Sequence, residues 1–165
     1  MFREMRRKKQ QLTQKECLDI LAAATHGVLA VHGDDGYPYA VPMSYVLYEE
    51  KIYIHCGKSG HKLDAIKSNE KVSFCVVAQD DVVPETYSTD YLSVIVFGRA
   101  RIIDDAEFKL KAIRRLAIRY APTGAPERMQ REIDESLDNL VMVEIEIEHM
   151  TGKESLTMSK KKRDV

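Results

Sequence analysis

The chain has 165 residues, with 25 lysines and arginines, 26 aspartates and glutamates, and a formal net charge of −1. This length, with 44% hydrophobic residues, is typical of one globular domain that needs neither disulfides nor a structural metal. The net charge averages two regions, because residues 1–9 and 153–163 each hold five basic groups while residues 10–152 hold 15 basic and 23 acidic ones. An acidic middle argues against nucleic-acid binding, which requires a net basic face.

The sequence also argues against a membrane-bound or metal-binding protein. No apolar run approaches the ~20 residues of a membrane-spanning helix, and the N-terminus is charged where a signal peptide needs apolar residues. We therefore expect a cytoplasmic protein. Cys17, Cys56 and Cys75 lack a CxxC spacing, and the five histidines lack the paired spacing of metal ligands, so we predict no metal site.

The first part of the chain is predicted to form a helix and an antiparallel meander. Thr13 and Glu16 have capping-box spacing, and apolar residues then recur at helical intervals over residues 14–24. Pro38 and Pro42 interrupt a β-rich run, which indicates an edge or bulged strand with free backbone groups. The three predicted strands of the meander are residues 27–33, 39–48 and 52–56.

The second part of the chain mixes strands and helices without a regular alternation. Asp104 is the expected N-cap of one helix, and Pro126 suits the first turn of another. The predicted elements are a glycine loop and short helix from residue 57, strands at 71–78 and 91–103, helices at 105–120 and 126–137, and a strand at 141–149.

Together these elements predict a mainly β fold. Six strands without strand–helix repetition disfavour a Rossmann-type parallel sheet and favour a six-stranded antiparallel barrel with peripheral helices. Residues 1–152 are expected to form a single domain, and residues 153–165 a basic, flexible tail.

The segment HCGKSGHK, from His55 to Lys62, carries the most chemical information. Its two glycines let a ligand approach the backbone, and the N–H groups that open the next helix favour a phosphate. Lys58, Ser59, His61 and Lys62 can add positive charge and hydrogen bonds. The spacing does not match a P-loop, and the alternative is a solvated turn with surface lysines.

The proline-containing second strand offers a second kind of contact. Backbone groups left free near Pro42 could hydrogen-bond the rim of a flat heterocycle, with Tyr39 or Tyr45 packing nearby. The alternative is an ordinary edge strand whose prolines discourage aggregation. Cys56 is a weak candidate nucleophile, because no local signature supports it.

Eight segments, in this order, resemble the nitroimidazole-resistance (Nim) proteins of the pyridoxamine 5′-phosphate oxidase-like, flavin-binding split-barrel superfamily. Each segment is weak alone, but together they span nearly the whole chain: residues 5–8, 27–30, 36–45, 52–55, 60–62, 72–75, 97–100 and 151–154. The resemblance implies a six-stranded split β-barrel that forms a homodimer, with flavin sites at the subunit interface.

The resemblance also assigns roles to individual residues. His55 is the candidate catalytic residue, near the reactive ring or the substrate. Ser93 and Arg99 are expected to contribute to the flavin site from the partner subunit. The remaining cofactor-binding candidates are Val41, Pro42, Met43, Ser44 and Tyr45 along the isoalloxazine edge, and Lys58, Ser59, His61 and Lys62 around the phosphate.

The function implied by the resemblance is a flavin-dependent reductase of small nitro-aromatic (5-nitroimidazole-type) or related acceptors, with hydride passing through flavin N5. FMN is the expected cofactor, with FAD as the alternative. A nicotinamide donor would bind only transiently, because the chain has no GxGxxG motif. Two alternatives stay open: a flavin- or haem-binding module without turnover, and a dimeric β-barrel whose loop binds another phosphorylated metabolite.

Overall fold

A computed structural model describes residues 1–162, which form seven β-strands and five α-helices. The strands are β1 (His26–His32), β2 (Pro38–Ser44), β3 (Val46–Tyr48), β4 (Lys51–Gly57), β5 (Lys71–Val83), β6 (Ser88–Ile102) and β7 (Leu140–Glu154). The helices are α1 (Gln14–Ala23), α2 (His61–Ser68), α3 (Ala106–Tyr120), α4 (Pro126–Ser136) and α5 (Leu156–Lys161). None of the helices within this range is long and apolar enough to cross a membrane.

The strands form one antiparallel sheet in the order β2-β1-β5-β6-β7-β4-β3. The sheet curls into a half-barrel, so that Cα atoms of β2 come within 8 Å of β4 although the two strands are not paired. The predicted mainly β, antiparallel class is confirmed, but the count of six strands is wrong by one. The predicted run 39–48 divides at Tyr45, whose N–H bonds to the Thr25 carbonyl and the Tyr120 hydroxyl outside the β-ladder.

Apolar side chains cover both faces of the sheet. Inside the curl, Leu29 and Phe74 belong to a buried cluster that α1 and α2 help to close. On the outer side, Tyr53 and Met142 pack with Ile113 of α3 and with residues of α4 in a second cluster. The helix pair therefore covers only the β3-β4-β7 part of the outer surface.

Part of the outer surface of β1, β5 and β6 is apolar and exposed. Val28, Cys75 and Ile95 are neighbours across these three strands. Val28, Ile95 and Phe97 are each about 40% exposed, and Val77 is 55% exposed. We call these five residues the outer apolar face.

The helix caps agree with the sequence in one case and differ in the other. Thr13 caps α1 in a complete capping box with Glu16, as predicted. Asp105, rather than the predicted Asp104, caps α3, because its carboxylate accepts a 2.6 Å hydrogen bond from the Phe108 N–H. The helix therefore begins at Ala106.

Two segments are more ordered than their polar composition predicts. The connection expected over 80–90 is mostly the end of a long β5–β6 hairpin, in which pairs such as Asp80 with Tyr91 continue the ladder. Residues 153–162, expected as part of a flexible tail, complete β7 and form α5. Ser155 caps α5, and Lys162 forms 2.8 Å ion pairs with Glu16 and Glu154. The rest of that expected tail, residues 163–165, lies outside the described residues.

Candidate functional site

The loop between β4 and α2 leaves room for a ligand against its backbone. Gly60 has φ 132° and ψ 163°, a conformation that glycine adopts at low cost and other residues do not. A Cβ atom added at Gly57 or Gly60 would meet nothing within 4 Å. The space beside both glycines is therefore open.

The first turn of α2 presents free backbone donors to that space. The N–H groups of Leu63 and Asp64 bond to the Gly60 carbonyl at 2.9 and 3.3 Å, and no side chain caps the helix. In the described part of the chain, no backbone carbonyl accepts a hydrogen bond from the N–H of His61 or Lys62. Two free donors at the positive end of a helix favour an anionic group, as the sequence predicts.

Packing against the inner core fixes the position of this turn, because Leu63, Ala65 and Ile66 of α2 are buried there. The predicted phosphate-binding side chains are less buried than these core residues. Lys58 and Ser59 are exposed, whereas Lys62 is partly buried. An anion at the helix start would thus meet a rigid backbone and adaptable charged groups.

An aromatic contact connects the edge strand β2 to the loop. The rings of Tyr39 and His61 stack with centroids 4.2 Å apart and planes 20° from parallel. His61 Nε2 also lies 3.5 Å from an Asp34 carboxylate oxygen. Of the two tyrosines that the sequence suggested beside a ring ligand, Tyr39 is the one next to the loop.

Strand β2 lies at an edge of the sheet, as its prolines predicted. It pairs only with β1, so its other edge carries backbone groups outside any ladder among the described strands. Val41 and Met43 are half-buried and pack against the inner core, whereas Pro42 and Ser44 are exposed. Hydrogen bonding from this strand to a ligand would use its backbone.

Tyr45 is part of the core. Its hydroxyl donates a 2.7 Å hydrogen bond to the Leu21 carbonyl, and burial raises its pKa far above the usual range. Its N–H bonds to the Thr25 carbonyl at 3.3 Å and the Tyr120 hydroxyl at 3.1 Å. The contact with Tyr120 was not predicted from the sequence, in which the position of Tyr120 at the end of an amphipathic helix is the one signal for it.

His55 lies on the outer face of β4. Side chains along β4 point to alternate sides of the sheet. Ile54 faces the inner core, whereas Tyr53 and His55 face the outer side. Its Nδ1 atom is buried and has no hydrogen-bond partner in the described structure, and burial lowers its pKa. His55 is therefore neutral at neutral pH, and it lines a cavity beneath α3 and α4.

Cys56 does not have the environment of an activated nucleophile. Burial raises the pKa of its thiol, and the nearby Lys62 ammonium opposes that rise only in part. The thiol is thus protonated at neutral pH. Because the Lys62 ammonium affects the pKa of Cys56, its charge lies near the end of β4.

Ser93 and Arg99 are not brought to the loop within one chain. Both lie on β6, which β5 and β1 separate from β2. Arg99 forms ion pairs with Glu70 and with Glu148, the latter at 2.6 Å. Glu70 follows the C-terminal end of α2, about 12 Å along this helix from the free N–H groups. A contribution of Ser93 and Arg99 from a partner subunit stays a prediction.

Comparison with known proteins agrees with this architecture. A family model described as pyridoxamine 5′-phosphate oxidase matches residues 13–154. No curated protein matches the chain.

Several solved structures share the fold. A candidate 5-nitroimidazole antibiotic resistance protein from Bacteroides thetaiotaomicron is 21% identical; the match covers 87% of this chain and 85% of that one, with a TM-score of 0.74. An FAD-binding protein from Mesorhizobium loti is 25% identical, with coverage of 88% and 97% and a TM-score of 0.65. The FAD and heme binding protein from Mycobacterium smegmatis is 19% identical, with coverage of 90% and 74% and a TM-score of 0.70.

Proposed function

The chain belongs to the pyridoxamine 5′-phosphate oxidase family, and on this premise we propose that it is a flavin-dependent reductase of small nitro-aromatic or related acceptors. One observation carries the proposal: the free N–H groups of His61 and Lys62 open a helix beside two glycines with empty space above them. Lys58 and Ser59 lie in the loop just before this position, and Lys62 belongs to the first turn of the helix. A flavin phosphate is an anion of suitable size for it.

The residues present fit a flavin at both of its ends. The loop and helix start suit the phosphate, and the unpaired edge of β2 suits the rim of the isoalloxazine ring. FMN needs no more than these two regions, whereas FAD needs further space for its adenosine. When bound, the flavin supplies the hydride-transfer chemistry, and the protein supplies binding and electrostatics.

The chain's own side chains have distinct tasks in this proposal. Lys62 and Ser59 bind the phosphate oxygens by charge-assisted hydrogen bonds. Stacking against Tyr39 fixes the orientation of the His61 ring at the same site. Val41 to Ser44 orient the ring through their backbone. His55, a neutral imidazole two residues before Gly57, is the proposed catalytic residue beside the acceptor.

A second copy of the chain completes the proposed site. The outer apolar face leaves several large hydrophobic side chains exposed together, a pattern associated with protein–protein contacts. A partner docked on this face could bring Ser93 and Arg99 to a flavin held by the first subunit. The proposed assembly is a homodimer with the flavin at the interface.

The electron donor is proposed to be a reduced nicotinamide that binds transiently, since the sequence has no GxGxxG motif for its own dinucleotide domain. We also propose a cytoplasmic location, where such donors are available. The preference for FMN over FAD is part of the proposal.

Two measurements test the proposed flavin binding and reductase activity. Purified protein is titrated with FMN and FAD, and oxidation of NADH and NADPH is then followed with and without a 5-nitroimidazole. Saturable FMN binding with acceptor-dependent oxidation is expected. Protein that takes up neither flavin contradicts flavin binding, and bound flavin without oxidation contradicts the reductase activity alone.

A flavin- or haem-binding module without turnover is the second candidate function. The shared fold with the FAD and heme binding protein from Mycobacterium smegmatis favours it, together with the neutral state of His55, in which an imidazole can ligate iron. Absorbance titration with haemin tests this candidate. Steady nicotinamide-dependent turnover of a nitroimidazole argues against it.

A further inference from the structure

Two basic segments that are far apart in the sequence lie side by side in the fold. The Gln10 side chain donates a 2.9 Å hydrogen bond to the Glu154 carbonyl at the end of β7. The Ser159 hydroxyl of α5 donates a hydrogen bond to the Lys9 carbonyl. These contacts hold the N-terminal segment, residues 1–10, against the end of β7 and against α5.

The contact between the two segments gathers positive charge on one surface. Residues 1–9 hold five basic side chains, and α5 adds the exposed Lys160. Within the part of the chain that the structure describes, Arg3, Arg6 and Lys160 form no ion pair. In contrast, residues 10–152 hold 15 basic and 23 acidic side chains, a net charge of −8. We call residues 1–9 together with Lys160 the basic surface.

A cleft of about 230 Å³ opens between the N-terminal segment and β7. Its hydrogen-bond donors include the Arg3 guanidinium, the Lys8 ammonium and the Thr151 hydroxyl. Glu4 also lines the cleft and pairs with Lys8 at 2.8 Å, so the unpaired charge is that of Arg3. The volume is below the roughly 300–1,000 Å³ of sites for drug-sized ligands. It suits a single phosphate group, which an arginine can bind through two parallel hydrogen bonds.

Exposed apolar side chains belong to the same two segments. Met1 and Phe2 directly precede Arg3, and Leu156 lies in the first turn of α5. Phe2 is 44% exposed and Leu156 is 48% exposed. The Phe2 ring stacks on His149 of β7, with centroids 4.6 Å apart and planes 7° from parallel. Basic groups combined with exposed phenylalanine and leucine are typical of segments that bind at a membrane surface.

We propose that the basic surface binds the head groups of anionic phospholipids at a membrane. The phosphate of one head group occupies the cleft beside Arg3, while Phe2 and Leu156 enter the boundary between head groups and acyl chains. The net negative charge of residues 10–152 turns the rest of the molecule away from the same membrane. This binding needs no membrane-spanning helix, and it is independent of the proposed flavin site.

An anionic lipid fits this surface better than a nucleic acid does. Single-stranded nucleic acids bind in basic grooves that follow their backbone, where aromatic side chains stack on successive bases. The cleft beside Arg3 has room for about one phosphate. Met1 and Leu156 are aliphatic, so they cannot stack on bases, but they gain free energy when they are buried among lipids.

Co-sedimentation with vesicles tests the proposal on the untagged full-length protein. The protein should sediment with vesicles made of equal parts phosphatidylcholine and phosphatidylglycerol, but not with vesicles of phosphatidylcholine alone. Raising the NaCl concentration from about 0.1 M to about 1 M shortens the Debye length from about 10 Å to about 3 Å and should release most of the protein. Equal binding to both kinds of vesicle, or binding to neither, would overturn the proposal.

Two double substitutions locate the contact. Arg3→Ala with Arg6→Ala should weaken binding to the mixed vesicles about 30-fold, or roughly fivefold for each basic side chain near an anionic bilayer. Arg128→Ala with Arg131→Ala removes the same charge from α4 and should change binding by less than about twofold. All four arginines are exposed, so both double variants should fold. Equal losses would show that total charge, and not the basic surface, governs binding.

Phe2→Ser separates a lipid surface from other anions, because it keeps every charge and removes an apolar contact. It should weaken binding to the mixed vesicles severalfold. A single-stranded oligonucleotide and inorganic phosphate, each added at constant ionic strength, should not displace the unmodified protein from these vesicles. Displacement by either one, or vesicle binding that is unaffected by Phe2→Ser, would contradict the recognition of lipid.

Discussion

Lys62 carries the charge on which the proposed phosphate site most directly depends. The substitution Lys62→Ala removes a charge-assisted hydrogen bond and should weaken FMN binding by about 1–3 kcal/mol. Fluorescence titration measures this loss. Lys67→Ala, in the last turn of the same helix, removes an equal charge at the opposite end and should change affinity little. Equal losses in the two variants would place the phosphate elsewhere.

Gly60 is the residue whose backbone conformation shapes the loop. Gly60→Ala forces a side chain into a conformation that glycine alone tolerates and should lower the free energy of unfolding by about 1–3 kcal/mol. Gly57→Ala is the matched control, because its Cβ also meets open space and its φ is not in the strained range. Urea denaturation measures the free energy of unfolding of both variants. Equal values would contradict a strained backbone at position 60.

Individual residues differ in how far the sequence predicted them. The loop from Lys58 to Lys62 was predictable because its glycines, basic groups and helix start are adjacent in the sequence. The pairing of Tyr45 with Tyr120 was not, because it joins positions 75 residues apart through the packing of α3. Likewise, nothing local indicated that Nδ1 of His55 would be buried without a partner.

At the scale of elements, α1 is joined to the chain's last described residues by an ion pair between Glu16 and Lys162. Contacts with Lys162 and Thr13 lower the pKa of Glu16 to about 2 from 4.5. Ionised Glu16 therefore stabilises the fold above pH 4.5, and this stabilisation declines as the pH falls from 4.5 towards 2.

The substitution Glu16→Gln keeps the capping-box geometry and removes the charge. It should lower the free energy of unfolding at pH 7 by about 0.2–1 kcal/mol, because solvent screens this partly exposed pair. Urea denaturation from pH 7 to pH 2 should show the difference from the unmodified protein shrinking below pH 4.5. A difference independent of pH would mean that the charge contributes nothing.

Strands and helices were predictable where periodicity was strong, as in β1, α1 and most of β7. The residues at which these elements end were less predictable. Tertiary hydrogen bonds of Tyr45 divide one predicted strand into two, and backbone pairing extends the β5–β6 hairpin through polar residues. The basic composition of residues 153–162 concealed a helix that is held by a Ser155 cap and ion pairs of Lys162.

At the scale of the whole molecule, the outer apolar face should hold two copies together. Ile95→Glu places a charge at its centre and should convert a dimer into a monomer in light scattering after size exclusion. Ile118→Glu is the control, since this residue is 50% exposed on α3, away from the face. A monomeric unmodified protein, or a dimer unaffected by Ile95→Glu, would contradict this interface.

At this scale, the distribution of charge along the chain also bears on the proposed anion site. Most of the chain repels anions through its net charge, yet one strand–helix junction gathers Lys58 and Lys62 around free backbone donors. That contrast is what a single, specific anionic cofactor would require.

The absorbance spectrum of the purified protein after exposure to FMN and removal of free flavin tests flavin binding most directly. The spectrum should contain the near-ultraviolet and blue bands of bound flavin, and mass determination of the released cofactor should identify FMN, at one molecule per chain. A colourless protein that retains neither FMN nor FAD would contradict the proposed function.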